Sequence, residues 1–137
     1  MSENNKKPLF RKVDCIRIPV TDLQDGLKFY RDELGHELIW RNSEKGAGLK
    51  LANDESEIVL YTDPKGLEID FTVDNVADAV KQFVDAGGTI VYGPFDIRIG
   101  KCAVVKDPWE NQYILLDTSK GLLKTDSEKN VINSISD

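Results

Sequence analysis

Two thiols, one guanidinium and three carboxylates fall at spacings that let them work together. Cys15 and Arg17 are two apart in the alternating run VDCIRIPV. Glu57 opens EIVLYT, Glu68 and Asp70 are two apart in GLEIDFTV, and Cys102 lies in KCAVVKD. Residues two apart share one face of an extended strand. Val59 and Tyr61 therefore accompany Glu57, and Thr72 accompanies Glu68 and Asp70. Gln112, Ile114 and Leu116 share a face in NQYILLD, and Trp40 in ELIWRN is assigned to the same surface. Such a lining, part apolar and part acidic, suits a cleft that orients a small organic ligand between carboxylates and aromatic walls. Three acidic groups favour a cationic or amine-bearing ligand. Arg17 points the other way, because a guanidinium presents a fork to a carboxylate. The bland alternative pairs Arg17 with Glu68 or Asp70 and leaves the charges at solvated rims.

Other chemistries lack their residues. The chain has one histidine, His36, read as an exposed turn residue, so neither a Ser-His nor a Cys-His pair is present. No glycine-rich phosphate loop and no nucleophile elbow occur. Cys15 beside Arg17 invites a lowered thiol pKa; a small, half-buried strand residue is the simpler reading.

The elements that must position these residues are written twice. With Cys15 set over Glu68, the chain repeats without a gap: Ile16 falls on Ile69, Val20 on Val73, Asp25 on Asp78, Lys28 on Lys81, Asp32 on Asp85 and Gly35 on Gly88. Each copy opens with an alternating strand. A helix follows, with an apolar stripe at i, i+4, i+7: Leu23, Leu27 and Tyr30, then Val76, Val80 and Phe83. Thr21 with Gln24 reads as a capping box, Asp74 as the second N-cap, and Gly35 and Gly87-Gly88 as stops. Three short strand-like runs complete each copy. Turns are expected at Asn53-Asp54, Asp63-Pro64-Lys65-Gly66, Gly93-Pro94 and Asp107-Pro108. The fold class is therefore α+β: two βαβββ modules, about 11–62 and 67–117, forming a half-barrel cleft. Residues 1–10 are expected to be a flexible N-terminus. Residues 118–137 form a polar tail in which 122–135 read equally well as a short helix or as coil.

Bulk composition narrows the partners. With 137 residues, 40% of them hydrophobic, one domain is expected. A net charge of −6 disfavours nucleic acid and anionic membranes. No run approaches a membrane span, and MSENNKKPLF carries no apolar signal core. Two cysteines at no zinc-ligand spacing suit reduced thiols in the cytoplasm. Each module alone would leave sheet edges open, so a homodimer is expected. Trp109, at a turn tip, is read as a dimer contact, a gate or a local plug.

Two βαβββ units, with IPVTDLQDGLKFYRDELG in the first and DPWENQYILLD closing the second, resemble the vicinal oxygen chelate superfamily, the glyoxalase, bleomycin-resistance and extradiol-dioxygenase group. The resemblance covers about residues 11–117. It implies a divalent metal held by a His or Gln, a Glu, a His and a second Glu. At the corresponding positions stand Cys15, Val59, Glu68 and Ile114, two of which cannot donate. No metal ligand set is therefore assigned, and no cofactor is expected. The implied function is small-molecule binding of the glyoxalase/bleomycin-resistance type without the catalytic metal. The alternatives are a metal-dependent lyase, isomerase or dioxygenase, and a structural or regulatory dimer without ligand.

Overall fold

The computed structural model describes residues 7–52, 55–63 and 66–132. The first module runs β1 (Lys12–Pro19), α1 (Leu23–Leu27, continuing as a π-helical stretch Lys28–Glu33), β2 (Leu38–Asn42), β3 (Gly46–Lys50) and β4 (Glu57–Tyr61). The second runs β5 (Glu68–Thr72), α2 (Val76–Asp85), β6 (Thr89–Ile97), β7 (Gly100–Lys106) and β8 (Gln112–Leu116). The eight strands form one curved sheet in the order β2-β3-β4-β1-β5-β8-β7-β6. β1 pairs antiparallel with β5, Cys15 facing Asp70 and Arg17 facing Glu68. The two modules are thus joined inside one chain. This pairing satisfies one edge of each module within the chain and leaves β2 and β6 as the outer strands of the sheet.

Alternation puts apolar side chains under each helix. Leu23 and Leu27 of α1 are buried with Ala47, Leu49, Ile58 and Leu60. Val76 and Ala79 of α2 are buried with Val73, Ala103, Val105 and Leu115. Phe10, assigned to the flexible N-terminus from sequence, stacks on Phe71 at 4.5 Å between ring centroids and belongs to this second core. A third apolar cluster, Cys102, Ile114 and Leu116 with Phe95, Ile97, Ile99 and Val104, fills the second module's side of the opposite, concave face.

The repeat extends to the helix caps, which differ from those expected. The caps are Asp22 and Asn75, not Thr21 and Asp74. Both are extended, and each accepts from the backbone N–H three residues on at 2.9 Å, Asp25 and Asp78. A side-chain oxygen at the residue whose φ turns the chain into the helix reaches that donor; its neighbour does not. Gly93-Pro94 is not a turn between strands but lies within β6, where the register shifts between Tyr92 and Phe95. Gly93 has φ 96°, and a Cβ there would sit 3.0 Å from the Cys102 carbonyl oxygen. The expected turns at Asn53-Asp54 and Pro64-Lys65 fall outside the described residues.

The tail forms no helix through residue 132. Asp126 accepts from the backbone N–H of Glu128 (2.8 Å) and Asn130 (2.9 Å), and Lys129 takes φ 71°. That turn sends the chain back along β2. Arg41 N–H donates to the Lys129 carbonyl and Val131 N–H donates to the Arg41 carbonyl, each at 2.8 Å. Lys129 Nζ reaches the Leu38 carbonyl at 2.7 Å. The outer strand of the first module is covered by the chain's own end.

Candidate functional site

Register places every candidate on the concave face. One row across the sheet reads Trp40, Gly48, Val59, Arg17, Glu68. The next reads Glu57, Cys15, Asp70, Ile114. Thr72 faces Leu116, which faces Cys102; Gln112 faces Lys106 at the far end.

The face does not serve one ligand uniformly. A cavity of about 440 Å3 opens over the first module. Of the candidates, Arg17, Trp40, Val59 and Tyr61 line it, whereas Cys15, Glu57, Glu68, Asp70, Thr72, Cys102, Gln112 and Ile114 do not. Among the described residues, its charged lining is Arg17, Lys45, Arg98 and Asp63; none of Glu57, Glu68 and Asp70, the carboxylates expected to receive a cation, lines it. Lys45 comes from the β2–β3 turn and Arg98 from the β6–β7 turn, where period-two reasoning assigns no face. Leu123 and Val131 of the returning tail complete the wall. A second hollow of about 370 Å3, between residues 7–11 and α2, contains none of the candidates.

The three carboxylates have other employment. Glu57 accepts from the Trp40 indole N–H at 2.7 Å. This geometry needs Gly48, because a Cβ there would meet Trp40 Nε1 at 2.1 Å. Burial pushes the Glu57 carboxyl up to about 7, against the Trp40 hydrogen bond, which lowers it. Asp70 is 4% exposed; one oxygen accepts from the Cys15 thiol at 3.5 Å and the other, Oδ1, has no partner. Burial raises its pKa, and the neighbouring Glu68 raises it further while Arg17 opposes. The Cys15 thiol is also pushed up, by burial and then by Asp70, Asp14 and Glu57; Arg17 does not compensate. A lowered, reactive Cys15 is thereby excluded. Burial, then Asp70 and Glu68, push Cys102 up to about 12.

These facts bear on a divalent metal. A thiol held protonated, the single carboxylate of Glu68 and two apolar side chains, Val59 and Ile114, make a poor donor set. Among the described residues, no three His, Cys, Asp or Glu come together in a metal-holding group. His36 is partly buried, its Nδ1 3.1 Å from the Lys50 carbonyl oxygen, away from the row. The residues present do not fit the ion.

The Glyoxalase/Bleomycin resistance protein/Dioxygenase superfamily model matches residues 12–114. The chain belongs to that superfamily. Its solved relatives share the curved sheet. Methylmalonyl-CoA epimerase from Mycobacterium tuberculosis superposes with a TM-score of 0.67 at 18% identity, covering 85% of this chain and 94% of that one. The Streptomyces coelicolor methylmalonyl-CoA epimerase in complex with 2-nitronate-propionyl-CoA gives 0.63 at 20%, covering 80% and 99%. A homoprotocatechuate 2,3-dioxygenase variant from B. fuscum gives 0.61 at 21%, covering 81% of this chain and 33% of the larger enzyme. At these identities the superfamily likeness is one of fold. No curated protein sequence matches the chain.

Proposed function

We propose that this superfamily member binds a small organic molecule in the cavity over β1, β2 and β4, without a divalent metal. One observation carries the reading. The strands that would carry a metal present Cys15, Val59, Glu68 and Ile114, while a cavity of about 440 Å3, within the ordinary range for ligand sites, opens beside them. The lining combines aromatic and aliphatic side chains with a comparable number of polar and charged ones, which can hold and orient a ligand. Both cysteines are free and buried, in keeping with work in the reducing cytoplasm.

The test pairs elemental analysis of purified protein with a thermal-shift screen of small organic compounds. The expected result is substoichiometric metal and stabilisation by a subset of compounds, lost in Val59→Trp, which fills the cavity. One equivalent of bound metal, lost in Glu68→Ala, would move the reading to a metal-dependent lyase, isomerase or dioxygenase. No stabilisation from any compound class would favour a ligand-free structural role.

A further inference from the structure

We propose that the cavity takes a small aromatic carboxylate anchored by Arg17. The inference rests on the small-molecule reading above and adds the ligand's class.

Arg17 has unused donors where a ligand would meet them. Its guanidinium stacks 4.6 Å above the Tyr61 ring centroid. Its one ion-pair contact, Nε to Glu68 Oε2, is 3.8 Å, too long for a hydrogen bond. Among the described residues, its two terminal nitrogens donate to nothing. A guanidinium has five N–H donors in a fixed fork, which a carboxylate satisfies in pairs. Glu68 is a weak competitor, because it meets only Nε of the guanidinium, at 3.8 Å, and leaves the terminal fork open.

Charge agrees with the fork. Among its described residues, a chain of net −6 places Arg17, Lys45 and Arg98, with Asp63, around one cavity. An anion entering there meets a local field opposite to that of the whole molecule. A cation meets the reverse, and none of Glu57, Glu68 and Asp70 lines the space to receive it.

Shape selects the rest of the ligand. Trp40 is fixed flat over Gly48 by its bond to Glu57, and the Tyr61 hydroxyl is fixed by the Gly66 carbonyl. The immobilised indole face, with the guanidinium held over the Tyr61 ring beside it, favours a planar body over a flexible chain, because ordering a rigid ligand costs less entropy. Leu123 and Val131 add apolar surface to the same lining.

The test uses full-length protein and three isosteric probes: 2-naphthoate, 2-naphthamide and 2-naphthylmethylammonium, by titration calorimetry. The carboxylate is expected to bind at least about tenfold more tightly than the amide, and the ammonium most weakly. Arg17→Gln should erase that preference, so that naphthoate binds no more tightly than the amide to the same variant. Glu68→Gln removes the competing acceptor and should tighten naphthoate binding by about threefold or more, a gain that a misfolded variant cannot produce. Equal or tighter binding of amide or ammonium, or an Arg17→Gln variant that keeps the preference, overturns the carboxylate assignment and leaves the small-molecule reading standing. Failure of all three probes, in wild type and in Glu68→Gln, also overturns it; the broader screen then decides the small-molecule reading separately.

Discussion

Replacing Asp70 with Asn should stabilise the protein near neutrality and do little in mild acid. The Asp70 carboxyl is 4% exposed, has one oxygen without a partner, and faces Glu68 and a protonated Cys15. Burial, then Glu68, raises its folded pKa above the unfolded value of about 3.9. The folded state therefore holds a proton that the unfolded chain has released. Its stabilising effect is complete below about pH 4 and is lost as pH rises towards the folded pKa. Each pH unit in that window costs about 1.4 kcal/mol for one proton. Between about pH 5 and pH 7, the cost is about 2.7 kcal/mol. The opposing effect of Arg17 is already contained in the folded pKa and leaves this slope unchanged. Asn is isosteric, does not titrate, and donates to Glu68 as the protonated acid would. Urea unfolding of wild type and Asp70→Asn, followed by circular dichroism at about pH 5, 6 and 7, isolates the group because all other titrations cancel in the difference. The gap should open by about 2.7 kcal/mol across that range in favour of Asn. Parallel curves, or an Asn variant that loses stability as pH rises, would refute the assignment of a buried, proton-holding carboxyl.

Three further outcomes follow from the same coordinates. Trp40 emission should titrate with a midpoint near 7 as Glu57 gains its proton, over a pH-independent background from exposed Trp109, and Glu57→Gln should abolish the transition. Gly48→Ala should cost about 1–3 kcal/mol by thermal unfolding and displace Trp40 from Glu57, because the new methyl overlaps the indole. Asp117, 3% exposed, accepts from the backbone N–H of Val76 and Lys101 at 2.9 Å each and from Ser119. Burial alone would raise its pKa, but these donors outweigh it and hold the carboxyl below the usual range. Its contribution is present above about pH 4 and lost as pH falls through the folded value. Asp117→Asn should therefore cost about 3 kcal/mol at neutral pH, measured by urea unfolding, and progressively less in acid.

The frame was legible because alternation and the helical stripe are local and occur twice in register. Ile18 and Val20 on one face, Cys15 and Arg17 on the other, follow from period two alone. Direction along a face is a different matter from enclosure within a cavity. Glu57 and Asp70 point inward as read, yet Trp40 caps one and burial neutralises the other, and both outcomes depend on contacts across strands. The basic character of the cavity was hidden because Lys45 and Arg98 sit in turns, where no periodicity assigns a side. The tail resisted reading for a related reason. LLKTDSEKN has adequate helix formers, but Asp126 captures two backbone N–H groups and folds a turn, and β2 supplies the partners that hold the segment extended.

The pairing of β1 with β5 sets a schedule for synthesis. Cys15 and Asp70 are partners 55 residues apart, and the parallel neighbour of β1, β4, also comes late in the first half. As the chain emerges from the ribosome, the first half can assemble β2, β3, β4 and β1, but one side of β1 stays without a mate until residues 68–72 follow. That interval exposes backbone donors and acceptors along the strand that will end at the middle of the sheet, the kind of edge that recruits other nascent chains. Slowing elongation in the linker between the modules should lengthen the interval and lower soluble yield, with no change in the stability of the molecules that finish.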